Sequence, residues 1–364
     1  MAGGSGTRLW PASNSRLPKQ FLPAMKADAS GGKKSFFSLA VERALAVTSG
    51  KIIIITGKSH IPNIIADSGK LSAEKKKRLL VIGEPEAKNT APAIACAVVY
   101  SQLCGGGETM LVLTSDHIIE PLKTFKSDAA LAAAGAKKGK LVVFGIPPAR
   151  PETGYGYIET GKDEAGVYEV TAFHEKPDLQ TAEKYAASGN FFWNSGMFAF
   201  SAAFIAEQFR RFAPDVFCCF EKLKTPPSAS YKKTQGIQIL TKWQGLDAAY
   251  RKTKSISFDY AIAEKCASAA MIRVNFNWID IGNWEEYIKV RGTSGAQVFS
   301  VSSENCFVDS DIPVALAGVE DLIVVIRGGK NGSPASALVT KKGQTQKVRD
   351  IVVQIKKSGK TDIL

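Results

Sequence analysis

Short apolar runs alternate with helical periodicity over roughly the first three-quarters of the chain, which predicts βαβ units around a mostly parallel sheet. Residues 51–56 (KIIIIT) form an apolar run of the kind seen in a strand buried on both faces. A helix is expected over 91–103, a strand over 109–114 (TMLVLT), an Ala-rich helix over 126–137 and a third strand over 140–145 (KLVVFG). Residues 196–200 (GMFAF) predict a short strand entering a helix over 202–212. The rhythm changes after about Arg291. Short apolar runs at 297–301, 306–308, 313–318 and 322–327 are separated by turn residues, and the next helical pattern spans 345–357. The expected organisation is a large α/β domain over 1–292 and a small β-rich domain with a closing helix over 293–364, joined at Gly292-Thr293-Ser294-Gly295.

Composition narrows this only a little. The chain has 364 residues and is 45% hydrophobic, enough to bury a large core, and its 22% charged content gives no sign of extensive disorder. A net charge of +13 suits anionic ligands generally. The densest run, Lys75-Lys76-Lys77-Arg78, reads as a solvated helix end, and no nucleic-acid module signature accompanies it. The six cysteines form no C-x-x-C pair and fit a reducing compartment, so a cytoplasmic location is expected. Neither a membrane span nor a signal pattern is visible.

The chemistry starts at residues 1–11, MAGGSGTRLWP. Clustered Gly3, Gly4 and Gly6 let backbone N–H groups turn toward one anion, and Arg8 adds a forked cation. Neither the Walker A pattern nor the dinucleotide fingerprint is met. A bare glycine cluster could equally be a flexible tail. The whole string, followed by Pro18-Lys19-Gln20-Phe21, is more specific. It resembles the signature region of the sugar-nucleotide pyrophosphorylases, and Trp10 and the PKQF form resemble the mannose-1-phosphate guanylyltransferases among them. The resemblance implies a Rossmann-like nucleotidyltransferase domain followed by a β-helix-like one. It also implies a glycine loop around the nucleotide, with Arg8 and Lys19 on its phosphates.

Further matches follow in order. Residues 84–94 (EPEAKNTAPAI) read locally as a turn with Asn89 capping a helix. The resemblance implies nucleotide contacts from Asn89, Thr90 and Ser115, beside Gly3, Gly4, Gly6, Thr7 and Arg8. Asp116 closes the run 109–114 and could be a helix cap or a hard oxygen ligand; the resemblance favours a metal ligand. His117 is not expected to be a catalytic base. Residues 150–159 (RPETGYGYIE) form a hairpin turn or a ligand approach, with Gly154 implied against sugar hydroxyls. In FHEKP, His174 stands where relatives carry Val. Glu175 and Lys176 are retained for the sugar hydroxyls and sugar phosphate, although the pair alone could be exposed charge at a strand end. Asn194, within WNSGMF, is implied in sugar binding. Asp259 is either a helix cap or a supporting residue, and Asp280, within WIDIGNW, is implied as the second metal carboxylate.

The resemblance implies Mg²⁺-assisted transfer between GTP and mannose 1-phosphate, giving GDP-mannose and pyrophosphate. Arg8, Lys19 and Lys176 would be the catalytic cations, in a single-function form without the isomerase domain fused to some relatives. The β-rich tail offers a homodimer surface. Three other readings stay open: the same chemistry on glucose 1-phosphate with dTTP or ATP, a regulatory subunit without turnover, and a nucleic-acid binder on net charge alone. One departure stands out. Relatives carry an apolar strand ahead of the glycine loop, whereas only Met1 and Ala2 precede Gly3 here. The expectation is an upstream start or a trimmed chain, and a sheet lacking a central strand.

Overall fold

The computed structural model describes residues 1–4, 6–24, 34–105, 109–164, 166–291, 297–329 and 334–364. The expected linker at 292–295 lies outside them. In chain order the strands of the large domain are β1 Ile52–Gly57, β2 Leu79–Glu84, β3 Thr109–Val112, β4 His117–Glu120, β5 Leu141–Ile146 and β6 Tyr157–Glu164. They continue with β7 Val167–His174, β8 Phe191–Ser201, β9 Tyr231–Thr234, β10 Ile237–Leu240, β11 Ala269–Arg273 and β12 Asn277–Asp280. The C-terminal strands are β13 Val298–Val301, β14 Phe307–Ser310, β15 Val314–Ala317, β16 Leu322–Arg327 and β17 Ser336–Lys341.

The α/β class holds, with a more mixed sheet than the alternation predicts. Strands β1, β2 and β10 pair in parallel, as do β5 and β11, but the other neighbours in the large sheets are antiparallel. Two sheets result, ordered β1-β2-β10-β9 and β3-β8-β5-β11-β7-β6. Part of the antiparallel pairing is the hairpin β6–β7, where exposed Lys162, Asp163 and Glu164 leave no continuous apolar run to read. Strand β8 is also longer than GMFAF suggests, because the polar Asn194 and Ser195 continue it rather than end it.

Helix packing follows from side-chain size. Thr90–Leu103 is buried along most of its length, so small and branched apolar residues face both sheets. Leu122–Lys137 lays Ala129, Ala132 and Ala136 on the six-stranded sheet. Its Gly135 comes so close that an added Cβ would stand 2.8 Å from Val142 Cγ2. The basic run sits on the short exposed helix Ala73–Lys77, as expected of a solvated end.

In the C-terminal region β13 pairs in parallel with β15 and β14 with β16, while β17 adds antiparallel to β16. The expected closing helix begins as a 3₁₀ turn, Thr345–Lys347, and continues as Val348–Lys357. Val308, Val314 and Val324 form a small buried cluster within the region. Phe307, Ile323, Val348 and Leu364 bury themselves with Leu9, Trp10, Ile281 and Trp284, next to the glycine loop and the end of β12. Among the described residues, no helix is long and apolar enough to cross a membrane.

Candidate active site

The glycine string forms a tight turn. Gly4 and Gly6 have φ of 91° and 58°, a region L-residues avoid, and a 3₁₀ turn, Thr7–Leu9, follows. Gly6 lies directly on Lys19, so that a Cβ there would be 2.2 Å from Lys19 Cβ. The indole N–H of Trp10 donates to the Ile363 carbonyl at 2.8 Å, and the Trp10 carbonyl accepts from Trp284 Nε1 at 3.1 Å. The loop is therefore anchored from the C-terminal region, while Arg8 remains exposed.

Lys19 is the centre of the site. Its ammonium lies 3.0 Å from Asp116 Oδ2 and 3.2 Å from Asp280 Oδ1. Far apart in sequence, the two aspartates meet because β4 and β12 pair antiparallel with His117 opposite Asp280. A strand, not a helix, follows Asp116, which rules out the capping role. Burial pushes the Lys19 amine down, but the two carboxylates outweigh it and hold its pKa above the usual value. Burial likewise raises Asp116, and the Lys19 charge overrides this to leave the carboxyl well below its usual range. Gly282 borders this corner: an added Cβ would lie in ordinary contact, 3.5 Å from Arg8 Nη1 and 3.8 Å from Asp280 Oδ2.

His117 supports the carboxylates. The Trp278 indole can only donate, and it donates to His117 Nδ1 at 3.1 Å, with the Thr114 hydroxyl 2.6 Å from the same nitrogen. The proton therefore sits on Nε2, which faces Asp116 at 3.7 Å and Asp280 at 3.8 Å. Burial holds the imidazole pKa below its usual value. A neutral ring whose Nδ1 already accepts the indole N–H hydrogen bond is poorly set up as a base.

The two carboxylates and a captured ammonium fit a divalent cation. Carboxylate oxygens are hard ligands, and Mg²⁺ is commonly held by one or two of them, with water and phosphate oxygens completing its shell. Among the described residues no cluster of three or more His, Cys, Asp or Glu forms a closed protein cage. Water or phosphate oxygens would complete such a site.

A second group lies at the ends of β7 and β8. Glu175 and Lys176 follow β7 and form an ion pair, with Lys176 at φ 42°, a strained position for a lysine. Gly156 is overlain by Glu175, whose Oε2 would be 2.9 Å from an added Cβ. Asn194 donates its N–H to the Gly156 carbonyl at 2.8 Å and its amide Nδ2 to Asp259 Oδ1 at 2.7 Å. Its Oδ1 accepts from Gly196 N. Asp259 thus fixes the Asn194 amide; the helix Phe258–Ala261 is capped by Ser257 instead. Gly154 donates to Glu152. Tyr155 stacks edge-on against both Trp193 and Trp278, with centroids 5.3 Å away, and so links this group to the carboxylates.

Asn89 and Thr90 form a third edge. Asn89 Oδ1 accepts from Thr90 N, and Thr90 Oγ1 accepts from Phe258 N at 2.7 Å. The NTAPAI turn therefore braces the segment carrying Asp259. Ser115 is buried between β3 and Asp116. Sequence reasoning missed Glu84, which ends β2 with only 8% exposure and lies against Gly3. Burial raises its pKa to about 7. A carboxylate inside an apolar run, LLVIGE, was the available signal.

This arrangement defines a nucleotidyltransferase: the family model for nucleotidyl transferases matches residues 1–295, and the chain belongs to that family. More particularly, it is 35% identical over 369 residues to the xanthan biosynthesis protein XanB of Xanthomonas campestris pv. campestris (strain B100), spanning 100% of this chain and 73% of that one. It is 33% identical over 376 residues to the mannose-1-phosphate guanylyltransferase of Escherichia coli strain K12, covering 99% and 73% of the two chains. Among solved structures, the mannose-1-phosphate geranyltransferase from Thermus thermophilus superposes with a TM-score of 0.78 at 28% identity, over 98% of each chain.

Proposed function

We propose that the protein is a GTP-dependent mannose-1-phosphate guanylyltransferase that forms GDP-mannose and pyrophosphate. The observation that carries this reading is the pair Asp116 and Asp280 closing on Lys19 directly beneath the Gly6 turn. It is supported by the likeness, over 99% of this chain and 73% of the relative, to a mannose-1-phosphate guanylyltransferase.

A phosphate oxygen of mannose 1-phosphate attacks the α-phosphorus of GTP, and the bond to the bridging oxygen of pyrophosphate breaks in line. The nucleophile is already an anion, so the protein needs no base and no covalent intermediate; it must bring two anions together and offset the charge that develops on the leaving group. Arg8 and Lys19 take that role on the triphosphate, within the loop of Gly3, Gly4, Gly6 and Thr7. Lys176 leaves Glu175 for the sugar phosphate, and Glu175, Asn194 and the backbone at Gly154 orient the hydroxyls. Asn89, Thr90 and Ser115 border the nucleotide. Asp116 and Asp280 would hold a divalent cation, in our reading Mg²⁺, which would supply further charge neutralisation to the phosphates.

The test is pyrophosphate release with Mg²⁺, crossing GTP, ATP, dTTP and UTP against mannose 1-phosphate and glucose 1-phosphate. Turnover confined to GTP with mannose 1-phosphate is expected. Preference for another pair overturns the specificity, and absence of release in every combination overturns the catalytic reading.

A further inference from the structure

His174 is the last residue of β7, and the Glu175–Lys176 ion pair follows it directly. Its own side chain is engaged elsewhere. Ring Nε2 lies 3.0 Å from Glu159 Oε2, and because a carboxylate only accepts, the imidazole donates. The same ring meets Tyr185 and Phe191, with centroids 5.1 and 5.5 Å away, and those two stack on each other at 4.0 Å. Tyr157 stands directly opposite His174 in the sheet register and packs against Tyr185 at 5.3 Å.

This group holds both loops of the sugar site. The Tyr157 hydroxyl accepts from Glu152 N at 2.9 Å, and the Glu152 carboxylate accepts from Gly154 N. Tyr185 lies on the helix Leu179–Ser188, so its contact with His174 closes residues 175–184 into a loop that carries Glu175 and Lys176. Lys176 has φ 42°, a backbone position that persists only where its surroundings impose it. His174 stands two residues before it, and the His174 carbonyl and Glu175 Oε2 both lie over Gly156.

We propose that His174 is a positioning residue for the sugar 1-phosphate: bonded to Glu159 and seated on Tyr185 and Phe191, it pre-sets the backbone that aims Glu175 and Lys176. This rests on the reading of Lys176 as the sugar-phosphate cation. Without the clamp the turn relaxes toward ordinary backbone angles, and the substrate must re-impose the strained ones out of its own binding energy. Substrate and transition state both need that geometry, so the loss falls on KM rather than on kcat.

The test measures pyrophosphate release for His174→Ala, His174→Gln, Glu159→Ala and the double variant His174→Ala/Glu159→Ala, with Lys176→Ala as a reference. His174→Ala should raise KM for mannose 1-phosphate about five- to tenfold, as expected for one partly exposed charged hydrogen bond, and leave kcat and KM for GTP within about twofold. Glu159→Ala should do the same, and the double variant should add less than about twofold to the larger single effect, because the two side chains act as one unit. His174→Gln, whose amide still donates to Glu159, should bring KM back to within about twofold of the parent chain. A His174→Ala chain that keeps its KM for mannose 1-phosphate overturns the proposal even if it melts lower, and so does an equal rise in KM for GTP or a His174→Gln chain that recovers nothing. If His174→Ala does not fold, Glu159→Ala decides by the same split. Lys176→Ala separates the clamp from the reading beneath it. A raised sugar-phosphate KM there with none in His174→Ala refutes the clamp alone, whereas an unchanged KM there refutes the sugar-phosphate reading and the clamp with it.

Discussion

Gly6→Ala and Gly4→Ala differ in one respect the structure makes measurable. Both positions have positive φ, 58° and 91°, so each alanine pays about 1–2 kcal/mol of left-handed strain. At Gly4 the new Cβ meets nothing within 4 Å. At Gly6 it arrives 2.2 Å from Lys19 Cβ and 3.0 Å from Lys19 N. Ordinary carbon contacts begin at about 3.5 Å, so Lys19 must retreat by more than about 1 Å. Its ammonium now sits 3.0 and 3.2 Å from the two aspartates, and a shift of that size takes at least one contact beyond hydrogen-bond range. Weakening this charged contact adds roughly 1–3 kcal/mol. The total for Gly6→Ala is then roughly 2–5 kcal/mol, or about 3–7 °C in Tm for a chain of this size. Turnover should fall about 10²-fold, the usual consequence of a 1 Å misplacement in a charged site. Gly4→Ala should lose only the strain and stay within about tenfold in rate. The assay is pyrophosphate release well below both melting temperatures, paired with thermal denaturation. If the two variants lose rate equally, the packing of the loop on Lys19 does not control the site, and the reasoning fails.

Other outcomes follow from the same contacts. Asp280→Asn keeps the shape of the β4–β12 corner but removes one of the two charges on Lys19, so turnover should fall by about 10²–10³-fold in the same assay with a folded circular dichroism spectrum; unchanged rates would sink the metal assignment. Thr90→Val leaves the Phe258 N–H without its acceptor, which should cost about 1–3 kcal/mol by urea denaturation; a neutral result would mean that the NTAPAI turn does not brace the Asp259 segment. Asn194→Ala frees Asp259 and should raise KM for the sugar phosphate at least about tenfold while leaving KM for the nucleotide within about twofold, because a well-placed charged hydrogen bond is worth about 1.5–3 kcal/mol. Glu84 binds its proton more tightly folded than unfolded, since burial raises its pKa from 4.5 to about 7. Its contribution is therefore present in full below about pH 4.5 and is lost as pH rises to about 7, by at most about 3 kcal/mol; Glu84→Gln should flatten that slope in denaturation curves recorded across the window.

What the linear chain determined was local. The apolar run at 51–56, the small residues of 91–103 and the turn-separated runs after Arg291 fix strands and helices, because burial periodicity is written residue by residue. The glycine string fixed a turn, since Gly4 and Gly6 adopt backbone angles that side chains resist. Pairing was not legible in the same way. Strand β6 breaks its own alternation with Lys162, Asp163 and Glu164, and β8 runs through two polar residues whose partners are distant: Asn194 on Asp259 and Ser195 on the Phe144 carbonyl. The antiparallel share of the sheet therefore emerged only in three dimensions. The same holds for the site's inner support. Nothing local ties His117 to Trp278, Trp10 to Ile363 or Glu84 to Gly3; each contact spans a long stretch of chain and exists because packed strands and a shared core bring their ends together. Sequence named Lys19, Asp116 and Asp280 as candidate site residues, and tertiary structure decided how Lys19 is held between the two carboxylates, because the energy of a buried charge depends on neighbours that only folding supplies.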